Sequence, residues 1–380
     1  MAKRTLIGLG LVVAAVTVAW MAAIGPVAVW RVVTHGTTMV WDHEEYPGRA
    51  FDPSPTPVEW VVETAALPEV VTLDGVEVSL EETLSSSETL SLLVVRDGVI
   101  VTEWSRPGHP VDREIMVFSV TKSLLSLLVG AAIDDGILGP VDTPVTGYLP
   151  ELAEHGFDRV TIHDLLRMDT GLDYIEGDNP FGEHVEFNYT PDLVSAILAL
   201  GVHDQPDPTF RYKSGDYAVL SLVLARALGE TSLTSFFRDR LWDPLGATGE
   251  GIWSTDSADG FERAWCCLAM TARDLARFGQ LALDDGVWQG EGLISARWLD
   301  ASFQPGYGTG RWPAEYQDSP LADYGYGWWL TRAGARLGLG KDGQYLYIDP
   351  ERRVVIVRQG ESTGDFSWVE LFEQVAASAG

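Results

Sequence analysis

The sequence predicts an α/β chain of the α+β kind: an antiparallel sheet built from both ends of the chain, flanked by helices, with a mainly helical domain inserted between its halves. Three observations lead there. A strong hairpin stands early, at Leu90–Val95 and Val99–Trp104 around Arg96-Asp97-Gly98. Strand patterns return near the end, at Tyr326–Thr331, Gln344–Ile348 and Val354–Arg358, the last two joined through Asp349-Pro350. Between 134 and 260 the chain alternates short helical patterns with Gly/Pro/Asp loops and offers few convincing strands. The 380 residues, 46% of them hydrophobic, are enough for a sizeable core. Aperiodic glycine and proline, with 10% aromatics, exclude collagen, coiled coil and disorder.

The elements follow in order. Lys3 and Arg4 precede an apolar run from Leu6 to Trp30. At about 1.5 Å per residue such a run is long enough to span a bilayer. A signal peptide would carry a shorter apolar core of roughly 7–15 residues and a small-x-small cleavage site. Ala23-Ile24-Gly25 is late and weak for that, so the sequence favours an uncleaved transmembrane anchor at 1–34 over a removed signal. The basic residues before it place the remainder outside the cytoplasm, with Trp30, Arg31 and His35 at the far interface. A polar, proline-bearing stretch at 35–58 reads as a juxtamembrane linker. The first part of the α/β domain occupies 59–133 and ends in an apolar helix, Ser119–Ile133, stopped by Asp135-Gly136. The helical domain, 134–264, holds helices at Thr161–Met168, Thr190–Leu200, Asp216–Leu228 and Leu233–Leu241. The second part, 265–380, contains the amphipathic Thr271–Leu283, capped at Thr271 with Asp274 three residues on, and closes with a helix from about Ser367 to Ala377.

Composition removes several function classes. Asp and Glu number 55 against 26 Lys and Arg, a formal charge of −29, which argues against nucleic acid as a partner. An acidic exterior is better read as a solvation device, suited to a salty or extracytoplasmic setting. Cys266 and Cys267 are adjacent, so no disulfide framework and no thiolate metal cage is expected. Seven histidines without H-E-x-x-H or paired spacing point to no metal, and nothing implies a cofactor.

Two serines compete as nucleophile. Gly360-Glu361-Ser362-Thr363-Gly364 matches G-x-S-x-G, but no histidine follows it and the parallel sheet of a nucleophile elbow is missing, so Ser362 reads as a loop residue. Ser119-Val120-Thr121-Lys122 is an S-x-x-K, whose three-residue spacing on a helix puts amine and hydroxyl on one face. Lysine titrates near 10.4, so it acts as a base only when desolvated or set near other cations. Met116, Val117, Phe118, Leu124, Leu125 and Leu127 supply apolar cover. Only four lysines occur, at positions 3, 122, 213 and 341, in a chain that otherwise chooses arginine; one inside an apolar helix suggests a need for a titratable amine. A serine at the first turn also aims its own N–H toward a developing oxyanion.

Two further motifs add to this. Phe210-Arg211-Tyr212-Lys213-Ser214-Gly215-Asp216 places a tyrosine two residues before a serine in a loop that opens a helix. Gly338-Leu339-Gly340-Lys341-Asp342-Gly343-Gln344 leads into a strand, its glycines letting a substrate lie against backbone N–H groups. In this order and spacing, with the stretches 160–168 and 271–279, the motifs resemble the serine hydrolases related to class C β-lactamases and D-Ala-D-Ala carboxypeptidases, over about residues 60 to 375. Gly343-Gln344 and Tyr326-Gly327-Trp328-Trp329 make the chain most similar to the aminohexanoate-dimer hydrolase and carboxylesterase branch.

The resemblance implies a β-lactamase/transpeptidase-like fold. It also implies Ser119 as nucleophile, Lys122 as its base and Tyr212 as the proton shuttle to the leaving group. Ser214 stands where the lactamases carry asparagine. Aligned on Gly343-Gln344, the family's Lys-Thr-Gly falls on Gly338-Leu339-Gly340 and the second oxyanion amide on Lys341, which removes the cation that would hold a β-lactam carboxylate. In a shifted register Lys341-Asp342-Gly343 plays that part and the cation returns; the first register is preferred because it keeps the Gly-Gln in place. Tyr174, with Glu176 and Asp178, is placed at the mouth of the site, His163 in a helix or loop contact, and Trp328-Trp329 in sheet packing. The expected function is cleavage of a small ester or amide. The alternatives are a β-lactamase or carboxypeptidase, and a non-catalytic binding or sensor domain.

Overall fold

The computed structural model describes residues 2–36, 38–177, 179, 182–203 and 209–378, the side chains of 2–12 and 309 excepted. Eight strands form the main sheet in the order Leu321–Tyr324, Trp329–Thr331, Arg336–Gly340, Gln344–Asp349, Val354–Gly360, Thr89–Arg96, Val99–Ser105 and Val61–Val62. The two ends of the chain meet in its middle, where Val354 pairs with Arg96 and Gly360 with Thr89. Each neighbouring pair is antiparallel except the outermost, where Val61–Val62 runs parallel to Val99 and Ile100. The early hairpin and the late strands thus form one antiparallel sheet from both termini. Leu321–Tyr324 and Arg336–Gly340 were not among the expected strands; glycines at 338 and 340 blur the alternation of the second.

The pleat sorts the helices. Leu346 faces Gly279 of the helix Ala272–Leu283, where an added Cβ would fall 2.8 Å from the leucine side chain. Its neighbours Tyr345 and Tyr347 turn the other way and meet Phe372 of the closing helix Trp368–Ser378, at ring distances of 5.4 and 5.5 Å. The helix Val120–Asp134 is buried on every side from Val120 to Ala132, as its all-round apolar sequence requires. It crosses the strand Arg336–Gly340, where Gly338 lies against Val120 and Ser123.

Between the halves of the sheet lie Ile162–Arg167, started by a reciprocal Thr161/Asp164 capping box, then Leu193–Leu198, Ser214–Leu228 and Leu233–Phe237, the last continued by a π turn at Arg238–Trp242. A second sheet orders Gly48–Phe51, Gly251–Ser254, Leu268–Met270 and Ile115–Met116 side by side. Gly48–Phe51 belongs to the stretch read as linker and is here a paired strand.

The single-span reading of the N-terminus is corrected. The apolar run forms two helices, Ala2–Ile24 and Pro26–His35, which bend by 111° at Gly25. Gly25 takes φ +85° and Pro26 opens the second helix, a pairing that stops one helix and starts another. Among the described residues no single helix is long and apolar enough to cross a membrane. The second helix packs on the body of the protein, Ile24, Ala28 and Val29 lying against Val185 and Tyr189. Arg31, expected at a lipid interface, donates from Nη1 to the carbonyls of Tyr189, Thr190 and Asp256 at 3.1, 3.2 and 2.9 Å.

Candidate active site

The short strand Ile115–Met116 leads straight to Ser119. Val117 N–H donates to Leu268 O at 2.8 Å, which holds the approach against the neighbouring strand. Phe118 then takes φ +44°, a left-handed conformation that costs a bulky residue of order 1–3 kcal/mol. That turn delivers Ser119 to the N-cap of the helix Val120–Asp134, where the positive end of the helix faces it. One turn further on, Lys122 Nζ donates to Ser119 Oγ at 2.9 Å and to Trp265 O at 3.1 Å. Lys122 is 1% exposed, and desolvation pushes its amine down to about 8, the Glu176 carboxylate acting in the opposite sense.

Tyr212 closes the group. It precedes the helix Ser214–Leu228, and its side chain lines the same cavity as Ser119, which lowers the phenol slightly. Its ring stacks on Trp329 at 5.5 Å and 12°, with Lys122 Nζ 5.0 Å from its centroid. Burial holds the phenol well above its ordinary value, with nearby Tyr324 and Glu176 adding to the effect, so Tyr212 is neutral. At the helix start, Ser214 N and Oγ each donate to Glu176 at 2.7 Å. Tyr174, also buried and neutral, hydrogen-bonds through its hydroxyl to His184 Nδ1 at 2.9 Å.

The strand Arg336–Gly340 passes beside the serine, and Lys341–Gly343 is a 3₁₀ turn beyond its end. A Cβ on Gly340 would sit 2.4 Å from Val117 O and 3.3 Å from Ser119 N, so only glycine lets the strand come this close. Lys341 follows at the mouth, its Nζ donating to Thr38 O at 2.6 Å and lying 5.5 Å over the Phe118 ring.

Two cavities meet at Ser119. One, of about 480 Å³, is lined among others by Phe118, Val185, Ser214, Cys266, Cys267 and Val32. The other, of about 500 Å³, is lined among others by Tyr174, Arg211, Tyr212, Tyr316, Trp329 and Leu339. Ser119, Glu176 and Lys341 border both. The expected residues Ser119, Lys122 and Tyr212 are therefore brought together around Lys122, while Ser214, Lys341 and Tyr174 line the space around them, and Gly340 permits the close packing.

Three readings change. Cys266 and Cys267, from which no disulfide framework was expected, are joined to each other in a disulfide; adjacency shortens the loop to a minimum but does not prevent bonding. Trp329 packs on Tyr212 and lines a cavity, so it is more than sheet packing, whereas Trp328 is fully buried. The register with Lys341-Asp342-Gly343 on the site strand meets a turn there instead of a strand. His163 lies edge-on to Tyr326 at 5.7 Å, Ser362 stays in a loop with its carbonyl accepting from Arg358 at 2.9 Å, and Asp178 lies outside the described residues. Sequence reasoning missed the Trp265 carbonyl, which carries no residue signature, and gave Glu176 only a place at the mouth.

The chain as a whole is similar to known proteins. The chain is 31% identical over 321 residues to the 6-aminohexanoate-dimer hydrolase of Paenarthrobacter ureafaciens, covering 81% of this chain and 79% of that one. A Bacillus anthracis structure assigned as a 6-aminohexanoate-dimer hydrolase superposes with a TM-score of 0.76 at 20% identity, over 89% of this chain and 92% of its own. The D-amino acid amidase of Ochrobactrum anthropi SV3 superposes with a TM-score of 0.57 at 17% identity, over 79% and 95%. The sequence pattern described as Beta-lactamase matches residues 79–374, and the chain belongs to that family of serine hydrolases.

Proposed function

We propose that the protein hydrolyses a carboxylic ester or amide through an acyl-enzyme on Ser119. Lys122, neutral in part near neutrality, takes the proton from Ser119 Oγ as the oxygen attacks the carbonyl carbon. The amides of Ser119 and Lys341 stabilise the oxyanion; one such donor is worth about 3–4 kcal/mol in related chemistry. Tyr212, held as a neutral phenol, gives its proton to the departing oxygen or nitrogen and regains one from the Lys122 ammonium beside it. Water then attacks the acyl carbon, its proton passing to the same pair and from there to Ser119 Oγ as the C–O bond breaks. This frees the carboxylic acid and restores the serine.

The observation that carries this reading is the 2.9 Å bond between Lys122 Nζ and Ser119 Oγ inside a desolvated site. The relative from Paenarthrobacter ureafaciens is, by its name, a hydrolase of the 6-aminohexanoate dimer, which supports a small ester or amide as substrate. Gly338 stands where the resemblance puts the strand cation, and Lys341 is engaged with Thr38, so β-lactams should be poor substrates. The test sets short-chain p-nitrophenyl esters and 6-aminohexanoate dimer beside nitrocefin. Turnover of the first two, abolished in Ser119→Ala, is expected. Unchanged turnover in Ser119→Ala, or labelling of Ser119 by a fluorophosphonate without turnover of any ester or amide, would overturn the reading.

A further inference from the structure

Resting on that reading, the two cavities can be given different occupants. A group that receives the Tyr212 proton must lie beside its hydroxyl, and Tyr212 lines the 500 Å³ cavity. The leaving alcohol or amine then occupies that side, and the acyl portion falls in the 480 Å³ cavity. One wall of this acyl side comes from outside the family-matched region of 79–374: Val32, Gly36 and Thr38 line it, facing Val185 and the Cys266–Cys267 pair.

We infer that Val32, Gly36 and Thr38 form the acyl-selecting wall of this hydrolase, limiting the length and bulk of the acyl group laid between Val32, Val185 and the bonded cysteines. The wall is fixed at several points. Arg31 ties its base to three carbonyls of the body. The Tyr189 hydroxyl donates to Gly36 O and lies 3.2 Å from Thr38 Oγ1. Just beyond, Val40 O accepts from Met116 N at 3.1 Å, three residues before the nucleophile. Lys341 completes the attachment: its ammonium holds Thr38 O, while its amide is the proposed oxyanion donor. The wall and the reacting carbonyl are thereby set at a constant separation.

The experiment uses the full chain with two ester series. One holds the p-nitrophenyl leaving group and lengthens the acyl group from acetate through butyrate to octanoate. The other holds acetate and varies the alcohol. Val32→Phe, which adds bulk to a half-buried position, is expected to lower kcat/KM for butyrate and octanoate by about tenfold or more relative to acetate, leaving the ratios of the alcohol series unchanged. Val32→Ala should shift the acyl ratios the other way, and Glu315→Ala, bordering the second cavity, should move only the alcohol series. Acyl ratios unmoved by both Val32 variants, or a change confined to the alcohol series, would overturn the inference while Ser119-dependent turnover still stood. Turnover that survives Ser119→Ala would undo the underlying reading instead.

Discussion

The proposed role of Lys122 as base makes a pH prediction that can be worked from the structure. Lys122 is fully desolvated and its amine falls to about 8, so the reactive neutral form is a minority at neutral pH. A group titrating near 8 is about 1% neutral at pH 6, about 9% at pH 7 and about 90% at pH 9. The rate of acylation therefore rises close to tenfold between pH 6 and 7, then levels off above 8. Glu176 favours the charged form, so Glu176→Gln should move the midpoint to lower pH. Lys122→Arg keeps a cation but cannot supply a base, and should lose about 10²–10⁴ of kcat/KM together with the alkaline rise. The assay is kcat/KM for p-nitrophenyl acetate from pH 6 to 9.5, corrected for spontaneous hydrolysis. A profile flat across that range, one still rising tenfold per pH unit at 9.5, or an unchanged curve in Lys122→Arg would refute the assignment of the base.

The same burial has a cost in stability. Lys122 in the folded chain titrates near 8 against an ordinary 10.5, so between those values the unfolded state binds more protons, and stability rises with pH by up to roughly 3 kcal/mol. Urea unfolding should show that rise in the wild type, relative to Lys122→Met, on going from pH 8 to pH 10. Gly340→Ala must push apart Val117 O, only 2.4 Å from the new Cβ, and should cost about 1–3 kcal/mol in urea unfolding along with most esterase activity. Trp265 O holds Lys122 and Leu268 O holds Val117, and the bonded cysteines lie between them. Cleaving that bond with excess dithiothreitol, monitored by thiol titration, should lower kcat/KM in the wild type and leave an already altered Cys266→Ser/Cys267→Ser variant unaffected.

What the sequence disclosed and what it withheld divide along contact distance. Ser119 and Lys122 are three residues apart on one helix, and a local rule brings hydroxyl and amine together. Tyr212 could be placed only through the resemblance, since nothing in its own neighbourhood says that its ring stacks on Trp329, more than a hundred residues later. The hairpin and the last two strands were legible because alternation and turn residues agree. Arg336–Gly340 was not, because the glycines that weaken its pattern are what allow it to lie against Val117 and Ser119. The break in the N-terminal run was hidden for a similar reason. Apolar composition is common to lipid-facing and protein-facing helices, and only the left-handed Gly25 followed by Pro26 hinted that the run turns back onto the body.

A single physical condition then separates the roles of two polar groups set near the same serine. Desolvation penalises whichever form of a group is charged, so it acts in opposite directions on an amine and a phenol. Inside this site it brings the Lys122 amine down toward neutrality and drives the Tyr212 phenol further from ionisation. The lysine becomes able to accept a proton, and the tyrosine keeps one to give, without a separate device for each. Glu176 is the counterweight, since its charge opposes the first effect and adds to the second. Held by Ser214 N and Oγ at the start of the helix Ser214–Leu228, it can be near the reacting groups without bonding to Lys122, which would lock the amine in its charged form. The carboxylate is thus placed to tune the base.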